Sequence, residues 1–191
     1  MKNKSKKQLI SAGAIVLFLF IIDQITKQLA VLFLKNQPNI PIIKDVFEFQ
    51  YLENTSAAFG MDPISLLHRI FQFDIFVENP DLYLNVRMGF FYILTVVILL
   101  LLCFLFYKIP NNKRYRYMDY VLIFFIAGAL GNFFDRIVYK YVIDFFYFKL
   151  IDFPIFNVAD IYVTCAAFAM MGLGIFYYKD EDIETIFPSK K

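Results

Sequence analysis

Four apolar runs set the plan of the chain. The first, Ile10 to Leu34, is broken by Asp23, Gln24 and Lys27, and the second, Met88 to Tyr107, carries no charge. A third covers about Tyr120 to Phe134 and a fourth about Ile161 to Tyr178. The second run is long enough to cross a hydrocarbon layer of about 30 Å unaided. The third and fourth reach that length only if their polar ends face protein interior or lipid headgroups. The pattern predicts four transmembrane helices, at about residues 10–34, 88–107, 118–138 and 159–178.

The first two runs are separated by residues 35–87, too long a connection for a simple turn. Within it, DVFEFQYLE at 45–53 alternates as a strand does, with Val46, Glu48, Gln50 and Leu52 on one face and Phe47, Phe49 and Tyr51 on the other. Small, turn-forming residues follow at 54–61. Asp62-Pro63 then reads as a helix start, because proline is tolerated in a first turn where its missing N–H is not needed. Residues 63–77 bring Ile64, Leu67, Ile70, Phe71 and Asp74 onto neighbouring faces, as in an amphipathic helix lying at an interface, and Asn79-Pro80-Asp81 ends it. In the second connection Tyr141 to Phe148 reads as an extended segment. Asn157 fits a helix N-cap, with Asp160 three residues on, near the positive end of the helix dipole.

Composition agrees with the pattern: 60% of the 191 residues are apolar and the mean hydropathy is +0.58, far above a soluble domain's roughly 45–50% apolar content. With 25 Phe, 13 Tyr and no Trp, any aromatic belt at the headgroups must be built from Tyr and Phe. Lys2, Lys4, Lys6 and Lys7 precede the first span, and Lys108, Lys113, Arg114 and Arg116 lie between the second and third. The positive-inside rule therefore puts both termini in the cytoplasm and turns 35–87 and 139–158 outward. A basic start before an apolar run is also the form of a cleaved signal peptide. Asp23 inside the run, and the lack of a small-residue cleavage site after it, favour a retained helix.

The net charge of +2 comes mostly from these membrane flanks and gives no support to nucleic-acid binding. Cys103 and Cys165 lie in apolar runs without metal-ligand spacing, and His68 is the only histidine. Neither metal chemistry nor Cys-His chemistry is expected. What remains is a polar set at the spans and their outward ends: Asp23, Lys27, Asn54, Asn132, Asp135, Arg136, Asp144, Asn157 and Asp160. Asp23 with Lys27, and Asn132 with Arg136, have i,i+4 spacing and suit polar locks between or along helices. Gly128 and Gly131, with Ala127 and Ala129, offer a small-residue surface for close helix contact. Asp144 and Asp160 differ, each standing where an apolar segment meets a turn. Two carboxyls facing each other would share one proton, leaving a base to activate water and an acid to protonate a leaving amine. The same pair would serve a proton-coupled carrier, and intramembrane charges could also serve an assembly factor. Either is the alternative to a protease, though carrier-like internal repeats are not evident.

Five strings, in order, resemble the lipoprotein signal peptidase family, the type II signal peptidases of bacteria. They are DQITK at 23–27, NTSAAFG at 54–60, GALGNFFDR at 128–136, VIDF at 142–145 and FNVAD at 156–160. The resemblance implies an integral-membrane, all-helical fold of one domain over 1–191, with four transmembrane helices, a small extracytoplasmic β-sheet cradle and a periplasmic amphipathic helix. It implies an aspartic endopeptidase with Asp144 and Asp160 as the catalytic pair. Asp23, Asn54, Asn132, Asp135, Arg136 and Asn157 then bind substrate or brace the acids. Arg136 is placed to pair with Asp135 or bond to Asn54 and a substrate carbonyl, and Lys27 to be structural or headgroup-facing. The implied substrates are diacylglyceryl-modified prolipoproteins, cut just before the lipidated cysteine at the outer leaflet of the bacterial inner membrane. No cofactor is implied; membrane lipid is a partner, globomycin an inhibitor, and a monomer suffices. The resemblance makes residues 54–61 and the helix that follows a mobile lid, and the chain departs from the family pattern there at Ser56, where glycine is usual, and in a longer 62–86 segment.

Overall fold

The structure is a computed structural model that describes residues 4–56, 63–71 and 79–186. Its helices are α1 (Lys6–Leu34), α2 (Pro63–Phe71), α3 (Pro80–Lys108), α4 (Arg116–Tyr139), α5 (Val158–Phe176) and a short α6 (Asp180–Ile186). Three strands, β1 (Ile40–Ile43), β2 (Phe47–Asn54) and β3 (Val142–Tyr147), form one antiparallel sheet in the order β1-β2-β3. Four of the described helical segments are long and apolar enough to cross a membrane: Lys6–Leu34, Pro80–Lys108, Lys113–Tyr139 and Val158–Phe176. Large side chains such as Phe18, Leu32, Ile93 and Leu100 are exposed along α1 and α3. Such lateral surfaces are solvated by acyl chains, and the helix satisfies its own backbone there.

α3 begins at Pro80, eight residues before the apolar run, because hydropathy marks the lipid-facing stretch and not the end of helical hydrogen bonding. Proline fits a first helical position and Asp81 adds a carboxylate to the first turn, where the dipole favours it. The amphipathic segment is seen as α2, whose Leu66, Leu67, Ile70 and Phe71 are exposed. Of the expected lid, 54–61 and the helix that follows, residues 57–61 lie outside the described residues, as do 62 and 72–78 with Asp74.

The chain divides into two compact units. The first comprises residues 1–24, 98–131 and 158–191. Its core joins Phe106, Ile109, Tyr115, Leu122, Ile123, Tyr178 and Ile186. The turn into α4 is a single 3-10 turn, Lys113–Tyr115, whose open N–H groups at Arg114 and Tyr115 are taken by the Asn112 side chain. Arg114 then clamps the Asp182 carboxylate at 2.8 Å, fastening α6. That bond holds the Asp182 carboxyl down at about 2. The clamp is complete above the ordinary carboxylate range and is lost as pH falls toward 2. α4 and α5 approach closely at Gly128, where a Cβ would lie 2.6 Å from the Ala159 carbonyl oxygen and 2.7 Å from Val163 Cγ2.

The second unit comprises residues 25–97 and 132–157 and holds the sheet. Lys140, in the left-handed region (φ 69°), ends α4; its N–H still bonds to the Arg136 carbonyl at 3.1 Å before the chain enters β3. β3 pairs with β2 on one side, and Phe156 bridges Phe146 on the other. Rings of Phe47, Phe49, Phe146, Phe148 and Phe156 pack together at centroid separations of 5.0–6.1 Å. A register shift between Phe49 and Leu52 breaks the simple alternation. Glu48 is buried, accepting from Asn39 at 2.8 Å and Lys149 at 3.4 Å. At the exposed end of β2, Lys35 donates to Glu53 at 2.7 Å and holds that carboxyl below its ordinary range.

Gly128→Val should cost about 1–3 kcal/mol of stability through overpacking, read as a lower unfolding midpoint in detergent. Gly13 has nothing within 4 Å of its missing Cβ, so Gly13→Ala should leave that midpoint unchanged or raise it. Equal midpoints for Gly128→Val and the parent would contradict the close α4–α5 contact.

Candidate active site

In the second unit Asp144 sits in the middle of β3, 1% exposed. Both its oxygens accept from side-chain amides. Asn54 Nδ2, at the end of β2, lies 2.8 Å from Oδ2, and Asn157 Nδ2 lies 2.6 Å from Oδ1. The strand pairing brings this about: Leu52 is opposite Asp144 and Asn54 opposite Val142, while the Phe146–Phe156 bridge delivers Asn157 from the other side.

The orientation of both amides follows from their other partners. Ser56 N–H donates to Asn54 Oδ1 at 2.8 Å, so the nitrogen of Asn54 must face Asp144. Lys27 Nζ, which can only donate, lies 2.9 Å from Asn132 Oδ1. That oxygen also accepts from Asn157 Nδ2 at 3.0 Å, which turns the Asn157 nitrogen toward Asp144. The same nitrogen lies 3.3 Å from the Ile143 carbonyl oxygen. Lys27 is completed by an ion pair to Asp135 Oδ2 at 2.9 Å, with both side chains fully buried. Asp135 Oδ2 in turn accepts the Ile143 N–H at 3.2 Å. Lys27 is therefore an interior cation and does not face headgroups.

Arg136 stands at the edge of this network. Its Nη2 donates to the Ser56 carbonyl at 3.0 Å and its Nη1 to the Asn132 carbonyl at 3.3 Å. The guanidinium lies 5.3 Å from the centre of the Phe91 ring, a cation–π distance. Arg87, not among the residues expected from sequence, donates to Ser56 Oγ at 3.3 Å. Ser56 thus engages three partners through its N–H, hydroxyl and carbonyl, where a glycine would offer two groups.

In the first unit Asp23 is fully buried in α1. Its Oδ1 accepts the Ala159 N–H at 2.9 Å, and its Oδ2 accepts from Gln24 at 3.1 Å. An open donor of the first turn of α5 is therefore satisfied from another helix. Asp160 follows Ala159 in that first turn. Gly131 is required here: a Cβ would fall 2.4 Å from Asp23 Oδ2 and 3.1 Å from the Ala159 Cβ. Asn157 stands immediately before this helix, where a cap is expected, and its amide nitrogen is engaged with Asp144, Asn132 and Ile143.

Of the residues singled out from sequence, Asn54, Asn132, Asp135, Asp144 and Asn157 come together in one hydrogen-bonded set, with Arg136 attached through Ser56 and Asn132. Asp23 belongs with Ala159 and Gly131 in the first unit. Asp144 lies in the second unit and Asp160 in the first. Lys27 is the member whose role the sequence did not reveal. The signal available was that a buried acid such as Asp135 calls for a cation. Among the described residues no group of three or more His, Cys, Asp or Glu could hold a metal ion.

Residues 15–176 match the family model described as signal peptidase (SPase) II. The chain is 36% identical over 166 residues to the lipoprotein signal peptidase of Caldanaerobacter subterraneus subsp. tengcongensis, covering 86% of this chain and 96% of that one. It is 32% identical over 173 residues to the lipoprotein signal peptidase of Clostridium tetani, covering 89% and 94%. A solved structure described as a bacterial membrane enzyme, determined by the in meso method at 2.3 Å resolution, superposes with a TM-score of 0.69 at 25% identity, covering 100% of this chain and 98% of that one. The fold and these matches define a multi-pass bacterial membrane protease. The chain belongs to the signal peptidase II family.

Lys27→Met would strand Asp135 without its buried cation and should cost about 3–5 kcal/mol. Adding Asp135→Leu to Lys27→Met should return much of that loss, measured as unfolding midpoints in detergent. A double variant as unstable as the single one would refute the pairing as the source of the cost.

Proposed function

We propose that this chain is an aspartic endopeptidase that removes signal peptides from diacylglyceryl-modified prolipoproteins, cutting just before the lipidated cysteine, with Asp144 and Asp160 as its acid pair. The observation that carries the reading is the setting of Asp144. It is a buried carboxylate accepting at both oxygens from amides whose own orientation is fixed, in a chain that matches the family over 15–176.

Asp144, with an N–H donor on each oxygen, is suited to be the ionised partner, since bonds from N–H groups favour the charged form. The shared proton then resides on Asp160. Asp144 takes a proton from water as the water's oxygen attacks the scissile carbonyl carbon, while the Asp160 proton supports the developing oxyanion. Collapse of the tetrahedral species breaks the C–N bond. The leaving nitrogen takes a proton from the pair and becomes the free amine of the lipidated cysteine. Asn54, Asn157, Asn132 and Asp135 position Asp144; Asp23 positions the helix turn that carries Asp160; Arg136 holds the Ser56 carbonyl next to Asn54. The mechanism calls on no cofactor.

The basic flanks support a topology with both termini in the cytoplasm and the acid pair near the outer leaflet, where a substrate tethered by its own lipid presents its cleavage site. The diacylglyceryl group keeps the substrate in the bilayer and reduces the search for the site to two dimensions. A single chain supplies every proposed group, so the monomer is the active form, and globomycin is its inhibitor.

Asp144→Asn and Asp160→Asn should each lower the cleavage rate of a lipidated precursor by about 10²–10⁴-fold, the usual contribution of a general acid or base, with unfolding midpoints within a few degrees of the parent. Near-normal cleavage by either folded variant would remove that residue from the pair. Globomycin should suppress the parent's product band; a product insensitive to it would point to a different peptidase chemistry.

A further inference from the structure

We propose that the first unit binds the phosphate of an anionic phospholipid where α1 begins and α3 ends, in a cavity of about 390 Å³. The volume falls in the range of about 300–1,000 Å³ typical of small-ligand sites. It suits a headgroup and the first carbons of an acyl chain.

Charge decides what kind of headgroup fits. Four charged side chains line the cavity: Lys4, Lys113, Arg116 and Asp119. Lys4 is buried, ion-paired with Asp119, and 4.9 Å from the centre of the Phe106 ring, so that pair is neutral as a unit. Lys113 and Arg116 are exposed, and among the described residues neither side chain has an ion-pair or hydrogen-bond partner. Two positive charges therefore remain to face an occupant.

The walls change character along the helices. On α1 the lining runs from Gln8 through Ser11 and Ala12 to Ile15; on α4 it runs from Arg116 through Asp119 and Tyr120 to Ile123. Both stripes pass from polar to apolar within about two helical turns. A free inorganic anion would use the cationic end alone. A phospholipid uses both, with its phosphate at Lys113 and Arg116 and its glycerol and chain carbons along Ile15 and Ile123. Basic pockets between membrane helices recognise lipid headgroups in this way.

The test uses the purified full-length protein in detergent, titrated with short-chain phosphatidylglycerol, short-chain phosphatidylcholine or inorganic phosphate, reading the unfolding midpoint. Phosphatidylglycerol should raise the midpoint saturably, with the other two giving little shift. Lys113→Gln and Arg116→Gln, both at exposed positions, should each weaken the phosphatidylglycerol effect by about fivefold, the worth of one basic residue at an anionic lipid. Ala12→Phe should weaken it by filling the cavity without altering charge. Lys6→Gln and Lys7→Gln, on the same basic flank but outside the lining, should leave it intact. The proposal fails if phosphatidylglycerol gives no saturable shift or if phosphatidylcholine matches it. It fails also if inorganic phosphate reproduces the shift, or if Lys6→Gln and Lys7→Gln weaken it as much as the lining variants.

Discussion

An ammonium group that can only donate, buried beside a carboxylate that can only accept, leaves the amides around it little freedom. Lys27 and Asp135 form such a pair, and the second unit is organised around it. Because Lys27 claims the oxygen of Asn132, the Asn157 side chain must present its nitrogen to that same oxygen, and the nitrogen is thereby also turned to Asp144. Asp135 meanwhile takes the Ile143 N–H, tying the residue before Asp144 to α4. One ion pair thus fixes both the strand that carries the acid and one of the two amides that orient it. Buried pairs often add little net stability against apolar replacements. The value of this one lies in positioning.

The start of α5 is set by a different device. A helix N-terminus leaves N–H groups without intrahelical partners, and Asp23 reaches from α1 to satisfy one of them at Ala159. Such a bond needs close backbones, which explains Gly131, where any Cβ would collide with the Asp23 carboxylate. Asp23 and Lys27 stand one turn apart on α1, yet each fixes a different element. Their helical spacing suggests a lock along α1; the bonds that reach beyond that helix go from Asp23 to the first turn of α5 and from Lys27 to the last turns of α4.

The four spans, the aromatic strands and the residues of the polar set were legible because each has a local signature: a long apolar run, an alternation, or an acid at an apolar edge. The partners were not legible where they depend on the fold. Nothing near Lys27 in sequence points to Asp135, whereas Asp23 is at hand with helical spacing. The burial of Glu48 escaped the alternation because the shift between Phe49 and Leu52 disturbs the two-residue period, and because its partners, Asn39 and Lys149, come from separate segments. The extension of α3 back to Pro80 escaped hydropathy, which reports contact with lipid and is blind to helix outside it. Asn157 reads as a cap from its place before α5, and the engagement of its amide nitrogen with Asp144 depends on β3, which the local sequence does not reveal.

Neutral amides around Asp144 also suit the proposed chemistry better than a cation in its place would. A guanidinium or ammonium in direct contact would hold a carboxylate firmly ionised and make it a poor base. Amides orient the oxygens, satisfy their lone pairs in a buried site and take up no charge of their own. The positive charge of Lys27 is kept one amide away and matched by Asp135, so it fixes geometry through Asn132 and Asn157 while its field is largely offset by the neighbouring carboxylate. A membrane peptidase that must both position an acid and leave it able to accept a proton from water needs those two demands separated, and the Lys27–Asn132–Asn157–Asp144 chain separates them.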